Sequence, residues 1–461
     1  MLFSSTTFIF LFLPAVLAAY YLSRKELRNY VLLAASVLFY AWGEPDYLAI
    51  MILTIVINWA GALLIEKRRD RARRILVCAI LMNLSFLVYF KYFNCIIENI
   101  NTLFSARIDF IRIVMPVGIS FYTFQAMSYL IDVYRKDTAP QRDIAKLALY
   151  ITLFPQLIAG PIVKYHEVAA QIDGRAENFN RFVYGVKRFI VGLAKKMLIA
   201  NTLGATADKV FSLPVEQFDT VTAWIGAVAY SFQLFYDFSG YSDMAIGLGS
   251  MFGFKFLENF NYPYISRSIT EFWRRWHISL STWFKEYLYI PLGGNRVSKR
   301  RNLFNLLTVF LVTGIWHGAS WNFVCWGLWH GIFIIVEKLT GWHKNNRFPV
   351  MHHLYCVLVF VTGWVMFRSD TMRHAAQYLK RMAGLAAPAT PAYTLSYYVG
   401  NIEATAFAIA ILCATPVFKN MINATGTLKK TAVNLWWLML FALSASSIAA
   451  STYNPFIYFR F

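Results

Sequence analysis

Long apolar runs alternate with short polar or basic segments along the whole chain. The clearest runs cover residues 8–22, 47–65, 75–90, 302–316, 355–367 and 435–450. A helical run of roughly 18 apolar residues is long enough to cross the hydrocarbon core of a bilayer. The pattern predicts an all-α polytopic membrane protein with about 11 transmembrane helices. No soluble segment interrupts this pattern, so we expect a single integral membrane domain over residues 1–461.

Two stretches differ from simple spanning helices. Residues 147–163 contain Pro155, Gly160 and Pro161 and lie between basic flanks. We expect this stretch to be re-entrant, because broken backbone at membrane depth needs protein or a water-filled cavity around it. Residues 255–301 hold nine Lys or Arg against three Glu, which is typical of interfacial helices.

The charged residues give the predicted orientation. The formal net charge is +20, although only 15% of the residues are charged. Basic residues cluster in short loops such as 24–28 and 66–74, whereas the turn at 43–46 is acidic. The positive-inside rule makes the basic loops cytoplasmic and the N-terminus periplasmic. This distribution indicates contact with membrane lipids, and it argues against nucleic acid as a partner.

Common catalytic and metal-binding motifs do not occur in the sequence. The five cysteines are widely spaced and mostly lie in apolar runs, so we expect packing roles for them and no metal site. There is no GxSxG motif and no P-loop. Histidine is left as the main candidate, because it is costly in a hydrocarbon setting and there marks a functional site.

The first candidate, His277, lies in the segment EFWRRWHISLSTWFKEYLYIPLGGN (271–295). On one continuous helix, Glu271 would form a favourable pair with Arg275 four residues later. Arg274, His277 and Ser281 would share a face, since residues three and four apart are neighbours. One interpretation is a polar groove for an anionic ligand such as a phosphorylated cofactor. The alternative is an interfacial helix with an aromatic belt and a solvated basic face.

Two more candidates occur in a repeated Trp-His-Gly tripeptide. His317 follows an apolar run, and His330 belongs to the second copy. Gly314 and Gly318 allow close backbone approach near the first copy. An imidazole takes or gives a proton near neutral pH, which suits catalysis. For each position alone, the alternative is a buried histidine that is hydrogen-bonded to a neighbour.

Polar residues also interrupt the apolar segment FYDFSGYSD (235–243). We predict a structural or polar-pathway role for Asp237, Ser239, Asp243 and Asn322, because carboxylates within a membrane must be paired or line water. The alternative for the segment is a helix break at Gly240, with capping residues that begin a second span.

Together these motifs resemble the membrane-bound O-acyltransferase (MBOAT) superfamily. Within it they resemble the branch of the alginate O-acetylation protein AlgI. The resemblance covers nearly the whole sequence. It is carried by the segment 271–295 and by MPVGISFYTFQAMSYLIDVYR (115–135), FPQLIAGPIVKY (154–165), FYDFSGYSDMAIGLGSMFGF (235–254), WHGASWNFVCWGLWHG (316–331) and NPFIYFRF (454–461).

The resemblance implies a ring of membrane helices around a central funnel, and an O-acyltransferase activity. It implies that His317 is catalytic, that His277 is the second polar site residue forty positions earlier, and that His330 is an additional histidine of this branch. His277 and His330 would orient donor or acceptor, while His317 acts as general base or briefly accepts the acyl group.

The resemblance also implies the donor and the partners. Acetyl-CoA would dock from the cytoplasmic side near Arg274, Arg275, Lys285 and Trp273, and we expect no permanently bound cofactor. The acetyl group would cross the bacterial inner membrane to a periplasmic SGNH-type acetyltransferase or another acceptor protein. Further proteins of an exopolysaccharide pathway, for example that of alginate, would complete the modification.

A transporter or flippase for an anionic glycan or lipid is the competing interpretation, because it too would need a polar pathway, basic mouths and broken helices. The sequence shows no inverted repeat, and its histidine candidates cluster in one short stretch. A purely structural scaffold would leave three intramembrane histidines without a role.

Overall fold

A computed structural model of the chain describes residues 1–158, 160–345, 347–387, 390–417, 429–450 and 453. Within these residues, every regular element is a helix and none is a strand. The predicted all-α class is therefore confirmed for the described part of the chain. The C-terminal motif at 454–461 lies outside it.

The α-helices are numbered here in chain order. The first twelve are α1 Leu13–Leu22, α2 Arg28–Ala41, α3 Leu48–Lys67, α4 Ala72–Leu87, α5 Phe93–Phe104, α6 Ile119–Arg135, α7 Ile144–Thr152, α8 Phe154–Leu157, α9 Tyr165–Asp173, α10 Phe179–Ala194, α11 Asn201–Phe211 and α12 Thr220–Met251. The others are α13 Ile269–Arg275, α14 Ile278–Phe284, α15 Lys299–His317, α16 Trp321–Thr340, α17 Pro349–Arg368, α18 Met372–Met382, α19 Leu395–Tyr398, α20 Asn401–Cys413 and α21 Lys429–Ala450. Turns of π-helix extend several of them, at Phe8–Phe12, Val88–Tyr92, Lys195–Ala200 and Lys285–Tyr289.

The chain forms two compact units. The first comprises Met1–Phe189 and Ser242–Leu257, and the second comprises Ile190–Tyr241 and Glu258–Phe461. Two of the boundaries fall within α10 and α12, and the third lies between Leu257 and Glu258, so the chain does not divide at a single linker. The single domain over residues 1–461 stays a prediction.

Four helical segments of the described chain are long and apolar enough to cross a membrane. They are Pro45–Lys67, Arg69–Phe104, Trp321–Thr340 and Pro349–Arg368. Shorter apolar helices lie at Phe8–Leu22, Asn401–Cys413 and Asn434–Ala450. The membrane character follows from these helices, while the count of about 11 spans stays a prediction.

The segment 144–157 is broken into two helices. Helix α7 ends at Thr152, Leu153 leaves the helical conformation at ψ 107°, and α8 covers only Phe154–Leu157. This interruption is the kind of broken backbone that the sequence predicts here, although the re-entrant path through the membrane stays a prediction.

The structure of helix α12 shows that the alternative of a helix break at Gly240 is wrong. The helix runs without interruption from Thr220 to Met251, through Gly240. A Cβ atom at Gly240 would lie 2.7 Å from the carbonyl oxygen of Gly192 on α10. The glycine therefore serves close packing of two helices, and the backbone at this position stays helical.

Candidate active site around three histidines

His277 lies at a sharp backbone turn between two short helices of the second unit. Its φ of 45° and ψ of 54° place it in the left-handed region, after α13 and immediately before α14. The single continuous helix expected over this stretch is therefore wrong, and Arg274 and Ser281 lie on different helices. A non-glycine residue with positive φ is uncommon, and such strain concentrates at functional sites.

The side chain of His277 is buried, with 1% of its surface exposed. Its Nδ1 lies 3.1 Å from Oδ1 of Asn259. The ring of Phe238 meets the imidazole edge-on, with 4.6 Å between the centroids. The segment lies outside the candidate membrane spans, and burial lowers the pKa of His277 to about 3. The imidazole is therefore neutral at physiological pH.

Asn259 ties the turn together and was not singled out from the sequence. Its Oδ1 accepts hydrogen bonds from the backbone N–H of Ser279 at 3.1 Å and from the Ser279 hydroxyl at 2.9 Å. Its backbone carbonyl accepts from the N–H of Ile278 at 2.9 Å. These bonds satisfy donors in the first turn of α14, which has no intrahelical partners for them.

His317 is the last residue of α15 and is 8% exposed. Its neighbours are aromatic rings, with centroid distances of 4.9 Å to Trp316, 5.0 Å to Trp326 and 5.3 Å to Phe367. An imidazole in this setting is largely screened from bulk water, which strengthens any charge interaction it makes.

His330 lies in the middle of α16 and is fully buried. Its ring packs among aromatic side chains, with centroid distances of 5.2 Å to Trp273, 5.3 Å to Trp326 and 6.3 Å to Phe272. Neither ring nitrogen has a hydrogen-bond partner among the described residues. The described residues therefore contradict the alternative in which His330 is a buried histidine that is hydrogen-bonded to a neighbour.

Two tryptophans join the three histidines into one cluster. The ring centroid of Trp316 lies 6.3 Å from that of His277 and 4.9 Å from that of His317. Trp326 contacts both His317 and His330. We call this group of three histidines with Trp273, Trp316 and Trp326 the histidine cluster. The structure therefore brings together the three histidines that the sequence suggested.

The histidine cluster depends on close packing of α15 against α16. A Cβ atom at Gly314 would lie 2.3 Å from the carbonyl oxygen of Phe323, and one at Gly327 would lie 2.3 Å from that of Phe310. The predicted close approach at Gly314 is confirmed. Only glycine permits these backbones to meet, and the contact sets the separation of the helices that carry His317 and His330.

A buried carboxylate holds the start of α13. Glu337 of α16 is fully buried and accepts from the backbone N–H groups of Ile269 at 2.6 Å and Thr270 at 2.9 Å, and from the Thr270 hydroxyl at 2.7 Å. Ser268 caps the next N–H, that of Glu271. Sequence reasoning missed Glu337, because its partners lie 67 and 68 residues away.

The predicted donor-binding residues do not lie in one environment. Arg274 and Lys285 are exposed. Arg275 forms the expected ion pair with Glu271 at 2.9 Å and also donates to the carbonyl of Asn261. Trp273 is buried beside His330 in the histidine cluster. A binding role for this group stays a prediction.

The predicted polar-pathway residues are mostly engaged in structural contacts. In the second unit, Asp237 pairs with Lys196 at 2.7 Å, both side chains being almost fully buried. In the first unit, Asp243 pairs with Arg188 at 2.7 Å. Asn322 donates to the carbonyl of Ser369. Both carboxylates are thus paired, as a membrane setting requires. Ser239 is buried on α12, and its hydroxyl has no partner within the described residues.

Comparison with known proteins assigns the class. A model of the MBOAT, membrane-bound O-acyltransferase, family matches residues 81–369, which is more than half of the chain. The chain belongs to this family, and it is a membrane O-acyltransferase.

Individual relatives are similar over most or all of the chain. A Pseudomonas putida protein named "Probable alginate O-acetylase AlgI" is 40% identical over 100% of both chains. A Pseudomonas aeruginosa protein of the same name is 45% identical over 83% of this chain and 75% of its own. A Helicobacter pylori protein named "Peptidoglycan O-acetyltransferase" is 33% identical over 100% of this chain and 98% of its own.

Proposed function

We propose that this enzyme passes an acetyl group from cytoplasmic acetyl-CoA across the bacterial inner membrane for O-acetylation of an exopolysaccharide such as alginate. The main support is the histidine cluster, in which three buried imidazoles share aromatic neighbours in a chain of the O-acyltransferase family. The names of the relatives indicate acetyl transfer to a bacterial polysaccharide.

In the proposed reaction, His317 acts as general base. It takes the proton of the acceptor hydroxyl, whose oxygen attacks the thioester carbonyl of the donor. The carbon–sulfur bond then breaks, and coenzyme A leaves as a thiolate that takes up a proton. A positioned general base contributes about 100- to 10,000-fold to such a step. In the alternative, His317 accepts the acetyl group itself before the acceptor does.

The remaining cluster residues and the basic surface would position the substrates. His277 and His330 orient donor or acceptor, and Trp273 of the histidine cluster immediately precedes the exposed Arg274 in sequence. Arg274, Arg275 and Lys285 would attract the phosphates of the donor through charge. The acceptor would be a serine of a periplasmic SGNH-type partner, which then places acetyl on the polymer.

The test is coenzyme A release from acetyl-CoA by the full-length protein in nanodiscs, with the periplasmic partner supplied. We expect His317→Ala to lower the rate at least about 100-fold. His343→Ala is the matched control, because this histidine lies outside the histidine cluster in the turn after α16, and it should retain the native rate. Size-exclusion profiles check that each variant is folded.

Equal release by the native protein and by His317→Ala would make His317 structural and direct attention to His277 and His330. Absence of release from the native protein with its partner would contradict acetyl-CoA as donor. Transport of an anionic glycan or lipid by the native protein, without acetyl transfer, would favour the flippase alternative.

A further inference from the structure

The amide of Asn259 has one possible orientation in this structure. The backbone N–H of Ser279 can only donate a hydrogen bond, and it lies 3.1 Å from the Asn259 side-chain atom assigned as Oδ1. An NH₂ group at that position would face a second donor and leave a buried polar group unsatisfied, which is unfavourable. The oxygen must therefore point towards Ser279.

The same oxygen faces His277. Nδ1 of the imidazole lies 3.1 Å from Asn259 Oδ1. Because an amide oxygen only accepts, Nδ1 must carry the hydrogen in this contact. Burial keeps the ring neutral, since the pKa of His277 is lowered to about 3. A neutral imidazole with its hydrogen on Nδ1 has its lone pair on Nε2.

We infer that Asn259 is a positioning residue that fixes His277 as the Nδ1–H tautomer, so that Nε2 serves acyl transfer as a hydrogen-bond acceptor. The inference rests on the proposed function for its catalytic consequence, but the tautomer itself does not depend on it. His277 thereby takes part in the reaction through an acceptor nitrogen, a more specific role than the orientation suggested by sequence.

The backbone around His277 supports a fixed ring. Asn259 accepts hydrogen bonds from the two residues that follow His277. Its main-chain carbonyl accepts from the N–H of Ile278, and its side-chain oxygen accepts from the N–H of Ser279. Phe238 packs against the ring edge-on. The left-handed backbone at His277 sets the direction of its side chain, and these contacts hold the residues after it. Strained backbone positions persist when the surrounding structure holds them in this way.

The first measurement reads the tautomer directly. Full-length protein with ¹⁵N-labelled histidine is placed in nanodiscs and studied by solid-state ¹⁵N NMR, with the His277 signals identified by their loss in His277→Gln. We expect a protonated Nδ1 and an unprotonated Nε2 at neutral pH. A protonated Nε2 with a bare Nδ1, or a ring protonated on both nitrogens, would overturn the inference, and this needs no variant of Asn259.

Three variants separate tautomer control from capping of α14. Asn259→Leu removes the acceptor at similar volume and should allow Nε2 to become protonated. Asn259→Asp keeps an acceptor oxygen and should restore the protonated Nδ1. Ser279→Ala is the matched control, because it removes one hydrogen bond to the same oxygen but leaves the contact with Nδ1. An unchanged tautomer in Asn259→Leu would contradict the inference.

The catalytic consequence is measured by coenzyme A release. We expect Asn259→Leu to lower kcat on the order of 100-fold, with KM within about twofold, because Nε2 is lost as an acceptor that positions the reacting groups while binding is kept. Ser279→Ala should remain near the native rate. Loss of activity in both variants alike would indicate capping alone. If the native protein releases no coenzyme A, the proposed function fails, while the NMR result still decides the tautomer.

Discussion

At the scale of single residues, the three histidines of the histidine cluster have different surroundings. Nδ1 of His277 faces a fixed hydrogen-bond acceptor, Oδ1 of Asn259. His317 lies among aromatic rings at the end of a helix. His330 is fully buried, and its nitrogens have no hydrogen-bond partner in the described part of the chain. A buried polar group without a partner destabilises a protein, so its presence favours a functional role.

His330→Phe tests that role, because phenylalanine has a similar shape and needs no hydrogen bond. We expect the free energy of unfolding to stay the same or rise by about 1 kcal/mol, since an unsatisfied buried group is removed. We expect coenzyme A release to fall at least about tenfold, as activity and stability often trade at such sites. Thermal unfolding and the nanodisc assay give the two values.

His352→Phe is the control for this substitution. His352 is also buried, but it lies on α17 against Trp342, outside the histidine cluster. Its replacement should leave coenzyme A release unchanged. Native activity in His330→Phe would show that His330 only fills space.

At the scale of elements, α13 is a seven-residue helix whose start is fixed by a distant helix. An isolated helix of this length is not stable in water. The carboxylate of Glu337 binds the first two backbone N–H groups, and Ser268 binds the third. Since α13 leads directly into Trp276 and His277, the position of the imidazole depends on this anchor from α16.

Glu337→Gln should therefore weaken both folding and catalysis. The amide can accept but also presents donors to N–H and hydroxyl groups, so we expect a loss of about 1–3 kcal/mol in the free energy of unfolding. We expect coenzyme A release to fall on the order of tenfold, because a small displacement of a catalytic group is costly. Glu403→Gln is the control, since Glu403 caps α20 through Gly400 instead.

A double variant shows whether Glu337 acts through His277. If it does, Glu337→Gln should cause no further loss of activity in a His277→Ala protein, although the loss of stability remains. Equal fractional losses of activity in both backgrounds would point to a general weakening of the fold.

At the scale of the whole molecule, the chain is a membrane protein whose charged loops give its predicted orientation. The turn with Glu44 and Asp46 and the basic segment with Arg69 and Arg73 lie at opposite ends of α3. This helix is one of the candidate spans. The two ends therefore face opposite sides of the membrane if α3 crosses it, and the basic end is expected in the cytoplasm.

Cysteine labelling tests this orientation. The five native cysteines are replaced by alanine, and single cysteines are introduced as Asp46→Cys or Arg73→Cys. In intact cells a membrane-impermeant maleimide should label position 46 but not position 73, and permeabilised cells should label both. The reverse pattern would contradict a periplasmic N-terminus, and labelling of both positions in intact cells would contradict a span between them.

Local features could be predicted well from the sequence. The ion pair of Glu271 with Arg275 and the close approach at Gly314 follow from short-range spacing and residue size, and both are confirmed. The alternative of a helix break at Gly240 is wrong, because packing against Gly192 of α10 decides that position. Local propensity does not reveal which neighbour a glycine will meet.

The sequence by itself determined the membrane class, the helical character and the three candidate histidines, because apolar runs and costly polar residues are read along the chain. Only the tertiary structure decided that His277 sits at a left-handed turn, with its acceptor 18 residues away. It also decided that a carboxylate 67 residues away in sequence anchors the preceding helix. These features arise from hydrogen bonds between segments distant in sequence, and such pairings leave no local pattern.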